Sequence, residues 1–279
     1  MRRAVGSGLL IAVALLTLAF LALPIVGIFV HTSPGKLLHQ LSNPVVKDAF
    51  LVSVKTSLLA QALILLLGTP TAYLLATRRF FGHSLAVTLV ELPLVLPPAV
   101  AGIGLLTALG REGLLGSSLS ALGVTLPFTQ TAVTIAVAYV ASPLYIRQAI
   151  ATFEATDPHL TAASRTLGAG PVRTFFRVVL PLARGGLIAG LALSFARGLG
   201  EFGATIMFAG SLQRVTQTLP LAIYQEFDIQ PDGFTTALAM SGVLVLISAV
   251  LLLTLRIALT WQRSPSSRSL SLFGLSSSV

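Results

Sequence analysis

Arg197 and Glu201 are the charged residues of this chain best placed to act on an ion. Four positions apart, they share a helical face and can pair. Before them Gly186, Gly190, Ser194 and Gly198 recur every four residues and make a groove that another helix can approach closely. Counting from Pro181 at about 1.5 Å per residue puts Arg197 roughly 24 Å along the helix. If that helix crosses a bilayer, the pair lies near or past its middle, where charges face a bundle interior or a hydrated cavity. Two readings follow. The pair is a buried structural clamp, or it belongs with Ser194 and Thr205 to the gate region of an anion pathway.

Other chemistry is thinly represented. His31, His39, His83 and His159 fall in predicted connections, with no two at metal-ligand spacing. Cysteine is absent. No Ser/His/Asp arrangement has a motif that singles out one serine. A phosphate-cradling loop needs Gly-x4-Gly-Lys followed by Ser or Thr. The sole Gly-Lys pair, Gly35-Lys36, is followed by Leu37 and has Val30 where the first glycine belongs. The reading is a chain that is not itself an enzyme, holds no cofactor or metal, and does not bind ATP by that device.

The elements that position these residues are set by composition. Apolar residues make up 54% of the 279 positions and charged residues 10%, against about a quarter charged in soluble domains. Six segments are apolar over the roughly 20 residues that a membrane span needs. They lie near 8–30, 49–76, 85–109, 129–150, 182–209 and 235–261. The fold class is therefore all-α, a polytopic membrane protein with a single transmembrane domain over 1–261. A serine-rich tail, 262–279, follows. The first apolar run exceeds a signal-peptide core and reads as an uncleaved span.

Basic residues orient the spans. With the N-terminus in the cytoplasm, twelve arginines fall inside: Arg2, Arg3, Arg78, Arg79, Arg147, Arg165, Arg173, Arg177, Arg184, Arg256, Arg263 and Arg268. Only Lys36, Lys47, Arg111 and Arg214 fall outside, and Lys55 and Arg197 lie within spans. This bias puts both termini in the cytoplasm. It also accounts for the net charge of +9 through topology and anionic headgroups, with no nucleic-acid role.

The third span contains Glu91-Leu92-Pro93-Leu94-Val95-Leu96-Pro97-Pro98. Its prolines remove helical hydrogen bonds, so the segment is kinked. Freed carbonyls at membrane depth must meet protein or a water-filled path, which makes Pro97 and Pro98 candidates for lining one. Glu91 reads as a solvated carboxylate near the cytoplasmic interface.

Between the fourth and fifth spans lies a polar interval, Phe153 to Pro181. Asp157 followed by Pro158 is a helix start, and Gly168 and Gly170 a stop, with Pro171 opening a second helix. Leu160, Ala163, Ser164 and Leu167 share a face of the first. The expectation is two short helices around a glycine turn, outside the bilayer.

The spacing Ala162-Ala163-Ser164, then Gly168, then Val178-x-Leu180-Pro181 resembles the EAA loop of ABC-importer permeases. That family implies a type I importer fold and a homodimer. It also implies two copies of an ATPase subunit, which bind ATP and Mg, and an extracytoplasmic binding protein. The resemblance assigns contact with the ATPase to Asp157, Ala162, Ala163, Ser164, Arg165, Gly168, Arg173, Leu180 and Pro181. Because Ala162 replaces the family's usual glutamate, that contact rests on apolar fit and on Arg165 or Arg173. Further on, Phe195-Ala196-Arg197-x-Leu199-Gly200-Glu201-Phe202-Gly203-Ala204-Thr205 resembles the molybdate/tungstate branch, as does Thr216-Gln217-Thr218-Leu219-Pro220. The implied function is the permease of an oxyanion importer in a bacterial or archaeal plasma membrane. Sulfate/thiosulfate permeases are close relatives, and an ion-coupled secondary transporter or a membrane scaffold are the readings of a different class.

Overall fold

The computed structural model describes residues 2–32, 35, 39, 42–229 and 233–262. Lys36, Arg263, Arg268 and the tail beyond Gln262 lie outside the described residues. The regular structure of the described residues is helical, and eleven helices are bounded within it. These are α1 (Arg2–His31), α2 (Pro44–Thr77), α3 (His83–Val95), α4 (Pro98–Leu109), α5 (Gly116–Ala121) and α6 (Gln130–Glu154). After them come α7 (Pro158–Thr166), α8 (Pro171–Leu199), α9 (Gly203–Ala209), α10 (Leu219–Ile229) and α11 (Gly233–Gln262). Five helices are long and apolar enough to cross a membrane among the described residues, and a sixth crossing forms if the bent pair α3–α4 counts as one.

The expectation of a kinked third span is met by a break of 118° between α3 and α4. Pro97 at the break has extended ψ of 133°, and Pro98 takes the first position of α4, where its missing N–H leaves nothing unpaired.

The second half of the polar interval is not a separate short helix. From Pro171 the chain runs unbroken through a π-helical stretch, Phe175–Val179, into the fifth span. The physical reason is Pro181. A proline inside a helix removes one hydrogen bond and crowds the preceding turn, and the wider π turn immediately before it, closed by the Leu180 N–H to the Phe175 carbonyl, relieves that crowding. The expected span 182–209 is also corrected at its far end. The helix stops at Leu199 and restarts at Gly203, because Gly198, Gly200 and Gly203 favour a break. All four histidines expected in connections are helical, His39 among them. His31 ends α1 and bonds the Gly27 carbonyl at 2.9 Å, His83 opens α3 and bonds that of Leu75 at 2.9 Å, and His159 lies in the first turn of α7.

The chain divides into two compact units, residues 1–53 with 211–248, and 54–210 with 249–279. In the first, Val46, Ala49, Leu219, Ala222 and Met240 form a small buried cluster. The Leu219 N–H there donates to Ser53 Oγ at 2.8 Å, and Arg214 pairs with Asp48 at 2.9 Å.

The second unit is organised around α6, which is buried along most of its length. Tyr145 at its middle is fully buried, with its hydroxyl 2.7 Å from Thr69 Oγ1 of α2. Against α6 packs the small-residue ridge of α8. A Cβ on Gly186 would sit 2.1 Å from Thr152 Oγ1, one on Gly190 3.0 Å from Gln148 Cβ, and one on Gly198 2.9 Å from Val137 Cγ1. The expected close approach is therefore real. Gly186→Val overpacks this seam and should destabilise the protein by about 1–3 kcal/mol, seen as a lower melting temperature in detergent, while Gly27→Val, at a position with open space, should melt like the wild type.

Candidate functional site

The last turns of α8 carry Ser194 and Arg197, and Glu201 follows just past the end of the helix. Ser194 is fully buried and donates to Gln61 Oε1 of α2 at 2.8 Å. Sequence reasoning did not select Gln61, although it is the lone amide in the apolar run 57–68 and could have been found by that signal. Its Nε2 is buried and has no partner among the described residues.

One turn further, Arg197 Nη1 lies 2.8 Å from Glu201 Oε2. The predicted pairing is present although the helix ends between the two residues. The same carboxylate serves a second purpose. Its Oε1 accepts the Ala204 N–H at 2.8 Å, satisfying one of the open amides at the start of α9. Both charges agree with the helix dipoles, Arg197 in the last turn of α8 and Glu201 just ahead of α9. Their burial is unequal. The Glu201 side chain is 1% exposed and that of Arg197 33%, so the carboxylate is enclosed while part of the arginine side chain stays accessible. Oε2 makes the ion pair without an aligned hydrogen bond and so retains acceptor capacity.

The short helix α9 lies against α4 at near-contact. A Cβ on Gly102 would meet the Ala204 carbonyl at 2.6 Å, and one on Gly203 would meet Pro98 Cβ at 2.8 Å. Pro98 is thereby brought to the start of α9, while Pro97 stays exposed at the bend. Thr205 is fully buried and its Oγ1 has no partner among the described residues. Lys55 of α2, exposed, bonds Gln130 Oε1 at the start of α6 at 2.7 Å. Glu91 is not simply solvated, since it pairs with Arg147 of α6 at 3.2 Å.

The loop after α6 forms as its residues dictate. Asp157 Oδ1 accepts the His159 N–H at 2.8 Å and Pro158 takes the first helical position. Gly168 has φ of +82°, the left-handed conformation that ends a helix, and Ala169 N–H closes back on the Ser164 carbonyl at 3.1 Å. Ser164 Oγ sits 3.1 Å from Thr174 Oγ1, which fixes α7 to the start of α8. Leu160, Ala162, Ala163, Arg165, Leu167 and Arg173 are left exposed, Leu167 at 88%. Leu180 and Pro181 lie in α8 just past the π turn.

Residues 64–262 match the family described as the inner membrane component of binding-protein-dependent transport systems. The chain belongs to that family. Its relatives include the molybdenum transport system permease protein ModB of Mycobacterium tuberculosis, 40% identical over 86% of this chain and 90% of that one. Another is the probable transport system permease protein NifC of Clostridium pasteurianum, 35% identical over 90% and 87%. Among solved structures, a bacterial alginate ABC transporter in complex with an alginate-bound periplasmic protein is similar in fold. It superposes with a TM-score of 0.70 at 17% identity, covering 91% of this chain and 93% of that one. The fold is thus that of the type I ABC-importer permeases, polytopic and of the inner membrane, and the chain is a transport permease subunit.

The double use of Glu201 separates two substitutions. Glu201→Gln keeps an acceptor for Ala204 and removes the charge, whereas Glu201→Ala removes both. Glu201→Ala should destabilise by about 1–3 kcal/mol more than Glu201→Gln, read as the difference in their thermal melting in detergent. Equal melting of the two variants would refute the capping role.

Proposed function

We propose that this permease passes molybdate, with tungstate as its chemical equivalent, and that it works as a homodimer on two ATPase subunits. The observation that carries the substrate is the likeness to ModB over nine-tenths of that protein's length, joined to a buried carboxylate paired with a partly exposed Arg197. A guanidinium fork matches a tetrahedral oxyanion well. Partial neutralisation by Glu201 keeps the attraction weak enough for release. Ser194, Thr205, Pro97 and Pro98 complete the gate region, in a single permease domain over 1–261.

In this reading the loop around α7 faces the cytoplasm, with both termini. Its exposed Leu160, Ala162, Ala163 and Leu167, ringed by Arg165 and Arg173, form the contact with the ATPase, and Asp157, Ser164, Gly168, Leu180 and Pro181 hold the shape of that contact. ATP and Mg reside in the ATPase. A binding protein delivers the oxyanion to the outer face, and nucleotide-driven closure shifts the permease between inward-open and outward-open states.

Uptake by the reconstituted complex should be competed by molybdate and tungstate well before sulfate. Preference for sulfate would overturn the substrate and leave the importer standing. Arg197→Ala should reduce uptake by at least tenfold while the complex assembles and its basal ATP hydrolysis continues; collapse of assembly would make the pair a clamp. Leu167→Asp loses no core packing, yet it should abolish copurification with the ATPase. Retained copurification would remove α7 from the contact.

A further inference from the structure

Helix α7 is held to the rest of its unit by very little. None of its residues is buried, and its single side-chain bond to another helix, among the described residues, is that of Ser164 to Thr174. Next to it lies a cavity of about 590 Å³, bounded by the ends of α2 and α6, by α7 and by the start of α8. That volume falls in the range of small-ligand sites, roughly 300–1,000 Å³.

The walls differ in character. One is aromatic, with Tyr73 edge-on to Phe153 at 5.4 Å and to Phe175 at 4.8 Å, and both Tyr73 and Phe153 line the cavity. The other is cationic. Arg78, just past the end of α2, and Arg165 of α7 both line it, and neither has a carboxylate within ion-pair distance among the described residues. The only carboxylate in the lining, Glu154, is paired with Arg79, which does not line the cavity, at 3.8 Å. Two guanidiniums thus face one engaged carboxylate, leaving positive charge in excess.

We propose that this cavity is a binding site for a phosphate-bearing anion, held between Arg78 and Arg165. Two planar guanidiniums on opposite elements suit the several oxygens of one phosphate, each accepting paired N–H bonds. The aromatic wall suits the carbon portion of a headgroup. Basic pockets between membrane helices recruit acidic lipid headgroups, so a phospholipid is one source and soluble phosphate the other. In either case the anion ties α7 to α2, supplying the attachment that the helix lacks from packing. The lipid source on the inner leaflet rests on the reading that this end of the permease faces the cytoplasm.

The test uses the full-length chain, delipidated in detergent and examined by native mass spectrometry with phosphatidylglycerol or phosphatidylcholine added. Retention of phosphatidylglycerol over phosphatidylcholine is expected, with a loss of about tenfold in the Arg78→Gln/Arg165→Gln double variant. Arg111→Gln, outside the cavity, should behave as the wild type. A parallel titration of inorganic phosphate in phosphatidylcholine nanodiscs, followed by ³¹P line broadening, reports the soluble source. Saturable binding in either arm that the double variant loses supports the site. Unselective lipid retention together with no phosphate binding overturns it. Should the double variant fold poorly, a photoactivatable phosphatidylglycerol on the wild type decides: crosslinks on the peptides bearing Arg78 and Arg165 support the site, and crosslinks only elsewhere overturn it. Because the chain has no cysteine, labelling Leu167→Cys from each side of the membrane fixes orientation separately. Labelling from outside would refute the topology and leave the site in place.

Discussion

A bilayer gives helices no hydrophobic reason to associate, since lipid tails are as apolar as leucine. Cohesion must come from close backbone approach and from hydrogen bonds that have no other partner. In this chain that constraint falls on the seam between α6 and α8, where Gly186, Gly190 and Gly198 bring the two backbones close, and on the bond from Ser194 of α8 to Gln61 of α2. The position of every candidate side chain on α8 follows from this seam. Move the ridge outward by the width of a methyl group and Arg197 and Glu201 move with it.

Beyond the seam the same logic repeats on a smaller scale. Glu201 is buried only because both of its oxygens are engaged, one by a charge and one by a backbone amide. The amide belongs to α9, and α9 reaches α4 through two further glycines. A bend at Pro97 turns α4 toward this contact and away from the line of α3. Packing, charge and backbone breaks are therefore one arrangement, and a short helix outside the long spans is where they meet.

Much of this was legible in the residues. The four-residue recurrence of small side chains announced a helix seam, the prolines announced a bend, and Asp157-Pro158 with Gly168 announced a helix with both ends marked. What escaped was of three kinds. The continuity of α8 through Pro181 depends on a π turn, and an extra backbone residue in one turn is invisible in a pattern of apolar positions. The stop at Leu199 escaped because apolar character resumes past Glu201 and runs to Ala209, so hydropathy saw one span where glycine backbone freedom made two helices. Gln61 is a third case. Its partner Ser194 is 133 residues away, and pairing at that separation is decided by the tertiary fold.

The absence of any break between the loop and the fifth span has a mechanical side. From Pro171 to Leu199 the backbone is one rod of 29 residues, about 43 Å long at helical rise. The exposed crown of the loop stands at one end and Arg197 near the other. A rod of that length works as a lever arm, and a tilt of roughly 5° about one end carries the other through roughly 4 Å, more than the length of a hydrogen bond. A displacement of the start of α8 would therefore be carried along the helix as far as Arg197, with no non-helical break between them.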